Sequence, residues 1–403
     1  MLWRDIRGKG TGSFASPCGQ PALQLQGLPK ADFVDFPTRT LLEGRRACRS
    51  AGTGPRGSKT KTPGRLEMRA RGWDAEAGGS GGTGQDARPR ARAEAHRREI
   101  MRRARHKSRE STFYHIFTRV AGAPGFTPFK EVEAWMKLYA MIGLLIRVYG
   151  CRLVSLEIMD THYHLIVWME KFRRLSVEEL QRRATLLWGA QVAQLRTANW
   201  GKEAWERFNR QLFDLSALMQ RLNGEYAKWY NATHDRHGHF WGDRFKNPEL
   251  LDLGAVQQCL AYVETNATRK HLVARPEQWK RSSTWMRFHH QDEHLLMPLE
   301  TIFPGIPSSE VFDAYRRRLE DRQRVDRERE REAQRAKSPS QPGARERYFL
   351  DGIAIGSREN VARVLEQYQA RGQYLRRKHP IPQRDDPDDP LFSLREQRSH
   401  ARG

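Results

Sequence analysis

Cysteine is scarce in this chain. Four residues, Cys18, Cys48, Cys151 and Cys259, are too few and too scattered over 403 positions for a disulfide framework or a CxxC zinc site. That usage reads as a reducing, intracellular protein. No apolar run approaches the roughly 18 residues that argue for a membrane helix. Met1 to Gly12 has no apolar stretch of the kind a secretory signal carries. Acidic residues are also in the minority, 48 Asp and Glu against 71 Lys and Arg, which leaves a formal net charge of +23. An excess of that size points to a polyanionic partner, nucleic acid first and an acidic membrane surface second. Only 38% of the residues are hydrophobic, so much of the chain is expected to lie outside any packed core.

The shortage of apolar residues is uneven. Residues 1–100 hold 16 of the 32 glycines and show no apolar periodicity, so they read as a disordered Gly/Arg-rich extension. Met101 is a candidate start of the natural product. From Ser111 the character changes. Thr112–Val120 is β-branched and aromatic and predicts a strand, and Lys130–Val148 carries a helical apolar stripe. Arg152–Ile158 predicts a strand with Val154, Leu156 and Ile158 on one face, and His162–Met169 predicts another after a short turn. Strand, helix, strand, hairpin and strand suggest an α+β domain with a ferredoxin-like or RRM-like, mostly antiparallel sheet. A stripe from Leu212 to Trp229 predicts a buried helix, and Gly254–Lys270 a second one. Beyond about residue 290 we expect a charged helical linker (300–345), a small helical appendage (346–378) and a disordered tail (379–403). No internal repeat is evident.

Three features carry chemistry. His162 and His164 sit two apart on a predicted strand and therefore share a face. Two imidazoles so placed can hold a metal ion, or they can be two ordinary strand histidines; spacing alone leaves both readings open. Tyr262 and Asn266 are four apart on a predicted helix, on the flank of its apolar face, where they are either part of a site or a half-packed tyrosine with an asparagine near the helix end. The loop His234–Phe245 and the residue after it interleave Phe240, Trp241 and Phe245 with Arg236, His237, His239, Arg244 and Lys246, a pattern suited to unpaired bases and their backbone. Its aromatics could equally tuck into the core. Tyr230, at a helix end beside that loop, competes with Tyr262 as a nucleophile, and Tyr226 continues a core stripe. His115 and Arg119 on the first strand could approach the same site, although a strand histidine beside aromatics is more often structural.

In order and spacing these motifs resemble the REP-associated tyrosine transposases, within the single-tyrosine HUH transposase superfamily. Met159-Asp160-Thr161-His162-Tyr163-His164-Leu165 is similar to the family's M-P-N-H-V-H-L. The segment Gly238 to Phe245 is similar to its Gly-x-x-Trp/Phe-x-x-Arg-Phe/Tyr stretch, and Tyr262 to Val273 to its Tyr-x-x-x-Asn-Pro helix. Trp279-Lys280-Arg281-Ser282-Ser283 resembles a trailing Trp-x-x-Ser-Ser. The resemblance covers about residues 105–290. The departures are Asp160-Thr161 for Pro-Asn, Tyr163 at a hydrophobic position and Ala267 for Pro, and none of them removes a ligand or nucleophile.

The resemblance implies an HUH endonuclease fold and a metal-dependent cleavage of single-stranded or hairpin DNA. It implies a divalent Mg²⁺ or Mn²⁺ ion on His162, His164 and Asn266, and Tyr262 as the nucleophile that becomes covalently joined to a 5′ phosphate. It also implies a cytoplasmic, nucleoid-associated protein. Two other classes remain: a nucleic-acid-binding protein of the same fold that does not cleave, and an RRM-like RNA binder. Against the second, Thr112–Val120 lacks the Gly-Phe pattern of base-stacking RRM strands. A chain beginning at Met101 is expected to stay soluble and to retain any DNA cleavage, as measured on the purified truncated protein.

Overall fold

The computed structural model describes residues 108–335, 348–370, 380–382 and 391–395. The expected N-terminal extension, the segment 337–345 and most of the expected tail lie outside the described residues. The domain begins with strand β1 (Thr112–Arg119), followed by helix α1 (Val132–Val148), strand β2 (Cys151–Ile158) and strand β3 (His162–Met169). All three strands lie within a residue of the predicted ones. β3 is central, pairing antiparallel with β1 from Thr112↔Met169 to Arg119↔His162 and with β2 on its other side. Strand β4 (Glu249–Leu250) adds antiparallel to β1. The resulting order β2-β3-β1-β4 is that of the ferredoxin-like plan, so the α+β, mostly antiparallel expectation holds.

One strand differs from expectation. Simple alternation predicts Val154 on the same face as Leu156 and Ile158, but a bulge between Leu153 and Ser155 turns it to the opposite face. An extra residue in one strand resets the period-two alternation, which composition cannot reveal.

Both faces of the sheet are covered. On one face α1 buries Ala134, Leu138, Ile142 and Leu145, which recur at helical spacing. Helix α2 (Val177–Trp188), α3 (Ala190–Thr197), α4 (Lys202–Leu212) and α5 (Leu215–Thr233) complete that side. Asp214 caps α5 by accepting from the backbone N–H groups of Ser216 and Ala217. The other face is covered by α6 (Leu253–Glu264), whose Val256, Cys259, Leu260 and Val263 pack with Phe113, Val154 and Ile166 of the sheet. The expected helix 254–270 is interrupted at Thr265, where the backbone leaves helical geometry and the hydroxyl donates to the Ala261 carbonyl. A short helix, α7 (Asn266–Arg269), resumes after the break.

Residues beyond 290 are built into the same core. After α8 (Ser283–Phe288) and α9 (Leu299–Ile302) comes α10 (Ser308–Arg335), which buries Val311, Tyr315 and Leu319 beside α6. The densely charged stretch Arg316–Arg335 lies within this helix and is mostly exposed, with Leu319 turned into the core. The stretch expected as a helical appendage contributes α11 (Tyr348–Asp351), strand β5 (Gly352–Gly356) and α12 (Arg358–Ala370). β5 adds parallel to β4. Strands β6 (Ile381–Pro382) and β7 (Phe392–Arg395) follow, giving among the described residues a seven-stranded sheet in the order β2-β3-β1-β4-β5-β7-β6. Asp252 couples the start of α6 to this extension. Its Oδ1 accepts from Ala255 N–H, while Oδ2 accepts from Ser357 N–H and Asn360 Nδ2. At Gly352 a Cβ would lie 2.5 Å from the Tyr348 carbonyl oxygen, so only glycine fits the turn from α11 into β5.

The Trp-x-x-Ser-Ser stretch acquires a structural account. Trp279 Nε1 donates to the Ile158 carbonyl, and Ser282 caps α8 through Trp285 N–H. Ser283 lies between the edge of β2 and Glu264, donating to Glu264 Oε1 at 2.5 Å. Glu264 also accepts from Arg287 at 2.9 Å and from the Tyr315 hydroxyl at 2.5 Å, and both members of the Glu264–Arg287 pair are buried. Removing one partner of a buried ion pair leaves the other charge uncompensated. Arg287→Met is therefore expected to cost about 3–5 kcal/mol in urea unfolding. A loss under about 1 kcal/mol would show that the remaining donors to Glu264 suffice.

Candidate active site

Alternation along β3 sends Tyr163, Leu165 and Val167 into the α1 face and His162, His164 and Ile166 toward the α6 face. β1 places Arg119 opposite His162 and Phe117 opposite His164, with His115 one step further on the same face. The Phe117 ring lies 5.4 Å from the His162 ring and 5.0 Å from the His164 ring, centroid to centroid. The two predicted imidazoles meet at 5.2 Å. Tyr262, delivered by α6, comes edge-on to His164 with centroids 6.1 Å apart. Asn266, just past the break, brings its carboxamide nitrogen to 3.4 Å from His162 Nε2. The structure thus assembles His162, His164, Tyr262 and Asn266 on one face.

The competing tyrosines are elsewhere. Tyr226 and Tyr230 are buried on the α1 face of the sheet, Tyr226 donating to the Ala134 carbonyl and Tyr230 stacked on His234 at 3.8 Å.

Burial controls the electrostatics. It holds the His115 imidazole down at about 4 and, helped by Arg119, Lys270 and Arg269, His162 at about 3. His164 is pushed well below the usual range for the same first reason, with His115 and His162 adding to it. All three are uncharged at neutral pH. Tyr262 is 7% exposed, and burial raises its phenol, while the guanidinium groups of Arg269 and Arg322 pull it back down. Arg269 lies 4.3 Å and Arg322 5.7 Å from the Tyr262 ring centroid. Phe349 from α11 stacks on the same ring at 4.7 Å.

Of two further participants, one carried a weak signal in the sequence and the other none. His115 had only its place on β1 among aromatics, and it proves fully buried, with Nε2 at 2.9 Å from His164 Nδ1. Phe349 had none, because it lies in a short segment distant in sequence. Its carbonyl oxygen sits 2.7 Å from His115 Nδ1. Among the described residues, no group of three or more His, Cys, Asp or Glu is arranged around a common metal position. The expected ligand set contains two such residues and an asparagine.

The basic-aromatic loop divides in two. Its backbone runs along the open edge of β1, with Lys246 paired to Phe117 and Trp241 to Val120. Trp241 was expected to offer a ring to bases, but it is half-buried against Tyr163, Tyr226 and Phe240 and donates Nε1–H to the Asn223 carbonyl. Arg236 is likewise engaged, donating to the carbonyls of His239 and Ala121 and lying over Phe126 and Phe240. Phe240 and Phe245 are buried. His239 and Arg244 face solvent, and Lys246 is half-buried opposite Phe117. Gly238, at φ 88°, makes the turn and accepts from Asn231.

No protein-family profile matches the chain, and no curated protein matches it. A solved structure of a REP-associated tyrosine transposase bound to a REP hairpin is similar over 47% of this chain and 84% of its own, at 10% identity and a TM-score of 0.32. A likeness of that degree assigns neither activity nor ligand to this chain. No helix among the described residues is long and apolar enough to cross a membrane.

Trp241→Ala is expected to lower stability by about 2–4 kcal/mol, the partial burial placing it toward the low end for large aromatics. Arg244→Ala should stay within about 0.5 kcal/mol. Chemical denaturation of both variants checks the division of the loop.

Proposed function

We propose that the protein cleaves and rejoins single-stranded DNA, of transposase-like hairpin type, through a covalent bond between Tyr262 and a 5′ phosphate. The divalent ion, Mg²⁺ or Mn²⁺, would be held by His162, His164 and Asn266. The observation that carries this reading is the shared face: Tyr262 reaches the His162–His164 pair from the opposing helix, whereas Tyr226 and Tyr230 lie beyond the sheet.

The donor set fits such an ion. Burial keeps both imidazoles neutral, the state a ligand requires. His162 Nε2, facing the Asn266 amide nitrogen, carries its lone pair on the site side, and Nδ1 is 3.1 Å from the Thr161 hydroxyl. Asn266 Oδ1 accepts from Arg269 at 3.0 Å, so oxygen ligation requires the carboxamide to turn over and give up that bond. When bound, the ion supplies Lewis-acid polarisation of the scissile phosphate.

The rest of the chemistry belongs to the chain. Tyr262 Oη forms the new bond to phosphorus and gives its proton to solvent, while the P–O3′ bond breaks and the leaving 3′ oxygen takes a proton from solvent to become a hydroxyl. The phenol's raised pKa opposes ionisation, and Arg269 and Arg322 offset this by favouring the phenolate. Attack of a new 3′ hydroxyl on the phosphotyrosine reverses the step and reseals the strand without an energy cofactor. Exposed Arg119 and Lys270 supply cations for the DNA backbone around the His face, and Arg244 adds one on the loop. A second reading, binding without cleavage, is favoured by one observation: Tyr262 is 7% exposed, with Phe349 stacked on its ring, which leaves the phenol little open to a phosphate.

The decisive measurement is an SDS-stable adduct on single-stranded hairpin DNA with Mn²⁺, mapped by mass spectrometry. Tyr262→Phe should abolish the adduct, and Tyr230→Phe should retain it. His164→Ala should lose cleavage while DNA affinity stays within several-fold, with log K falling linearly in log salt. No adduct from the intact protein, with binding preserved, selects the second reading.

A further inference from the structure

We infer that His115 is a positioning residue: it and the Phe349 carbonyl together fix the tautomer of His164, so that the Nε2 lone pair of His164 faces the site. The inference deepens the proposed function and rests on it only where the metal ion is concerned.

The argument is a proton count along three groups. His115 Nδ1 is 2.7 Å from the Phe349 carbonyl oxygen, and a carbonyl can only accept. Nδ1 of His115 therefore bears a proton. Fully buried with no anion acting on it, the His115 imidazole is held neutral and has a single N–H. Nε2 of His115 must then be the lone-pair nitrogen, and its partner at 2.9 Å, His164 Nδ1, must donate to it. This uses the one proton of a neutral His164, so its Nε2 carries the lone pair. The ring geometry agrees. The two planes are 3° apart, and centroids as far as 5.1 Å with nitrogens at 2.9 Å place the rings edge to edge, as an in-plane hydrogen bond requires.

Without this chain the tautomer of His164 would be set by whatever else it met. Its surroundings are the rings of Phe117, His162 and Tyr262, which offer no carboxylate or carbonyl as an alternative anchor. A partner on the non-ligating nitrogen is the usual means of orienting a histidine ligand and raising its basicity. Here the partner is a second histidine, and the orientation originates in a backbone carbonyl 234 residues away in sequence.

The test uses the full-length protein with ¹⁵N,¹³C-histidine, the variants His115→Gln and His115→Leu, and Mn²⁺ alone as probe. Wild-type protein should show His164 protonated at Nδ1 by long-range ¹H–¹⁵N spectra, with His164→Gln giving the assignment. His115→Leu should shift His164 toward the Nε2–H form and weaken Mn²⁺ binding about 10–100-fold by calorimetry. His115→Gln, which can accept through Oε1 and donate through Nε2, should restore both. Wild-type His164 protonated at Nε2 overturns the inference, whatever the metal does. So does an unchanged tautomer in His115→Leu, which would make His115 a packing residue. If the leucine variant fails to fold, the wild-type tautomer and the glutamine variant still decide. The expected tautomers with no Mn²⁺ binding in any protein would support the relay and sink the metal part of the proposed function.

Discussion

Burial of the sheet on both faces is the constraint on which the rest of this molecule depends. Strands with one wet face can place histidines at no cost, but β3 has none: Tyr163 and Leu165 enter the core under α1, while His164 lies beneath α6. A polar group sealed there must find hydrogen bonds or lose stability. The imidazoles meet the constraint by staying neutral and bonding to one another, to Asn266 and to a carbonyl. The same burial raises the Tyr262 phenol, so one physical cause makes the candidate ligands ready and the candidate nucleophile reluctant. Two arginines beside the phenol work against that reluctance.

Much of this arrangement was legible in the sequence, for identifiable reasons. Period-two alternation put His162 and His164 on one face, and a strand of eight residues is long enough to make that pattern secure. The stripe on α6 oriented Tyr262 and Asn266 toward the sheet even though the helix breaks between them at Thr265. What was illegible is mostly long-range. The bulge at Val154 depends on pairing, and nothing in the composition of residues 151–158 announces it. Ile353-Ala354-Ile355 is too short to distinguish a strand from a turn of helix until β4 offers an edge. Trp241 read as a base-stacking residue because local sequence shows a cation-rich loop but not the aromatic cluster of Tyr163, Tyr226 and Phe240 into which it folds.

The C-terminal extension changes the character of the domain. In the bare ferredoxin-like plan β4 would be an exposed edge and α6 would be covered only from the sheet side. Here β5 pairs with β4, α10 packs on α6, and Asp252 caps α6 while bonding α12. Stability and site geometry are therefore shared across residues that composition would separate. Glu264 illustrates this: it lies at the end of the Tyr262 helix, yet its donors come from α8 and α10.

The span between His115 and Phe349 has a consequence for biogenesis. Chains emerge from the ribosome amino end first, and domains begin to fold as they appear. β1, β2, β3 and α6 can all associate before residue 349 has been made. Over that interval the His115 ring lacks its carbonyl acceptor and Tyr262 lacks the Phe349 ring. Closing so long a loop adds little entropy beyond that of a loop half its size, but it must await its last residues and slows folding through high contact order. The histidine face can therefore be completed only after β1, β2, β3 and α6 have been made, when α11 brings in Phe349.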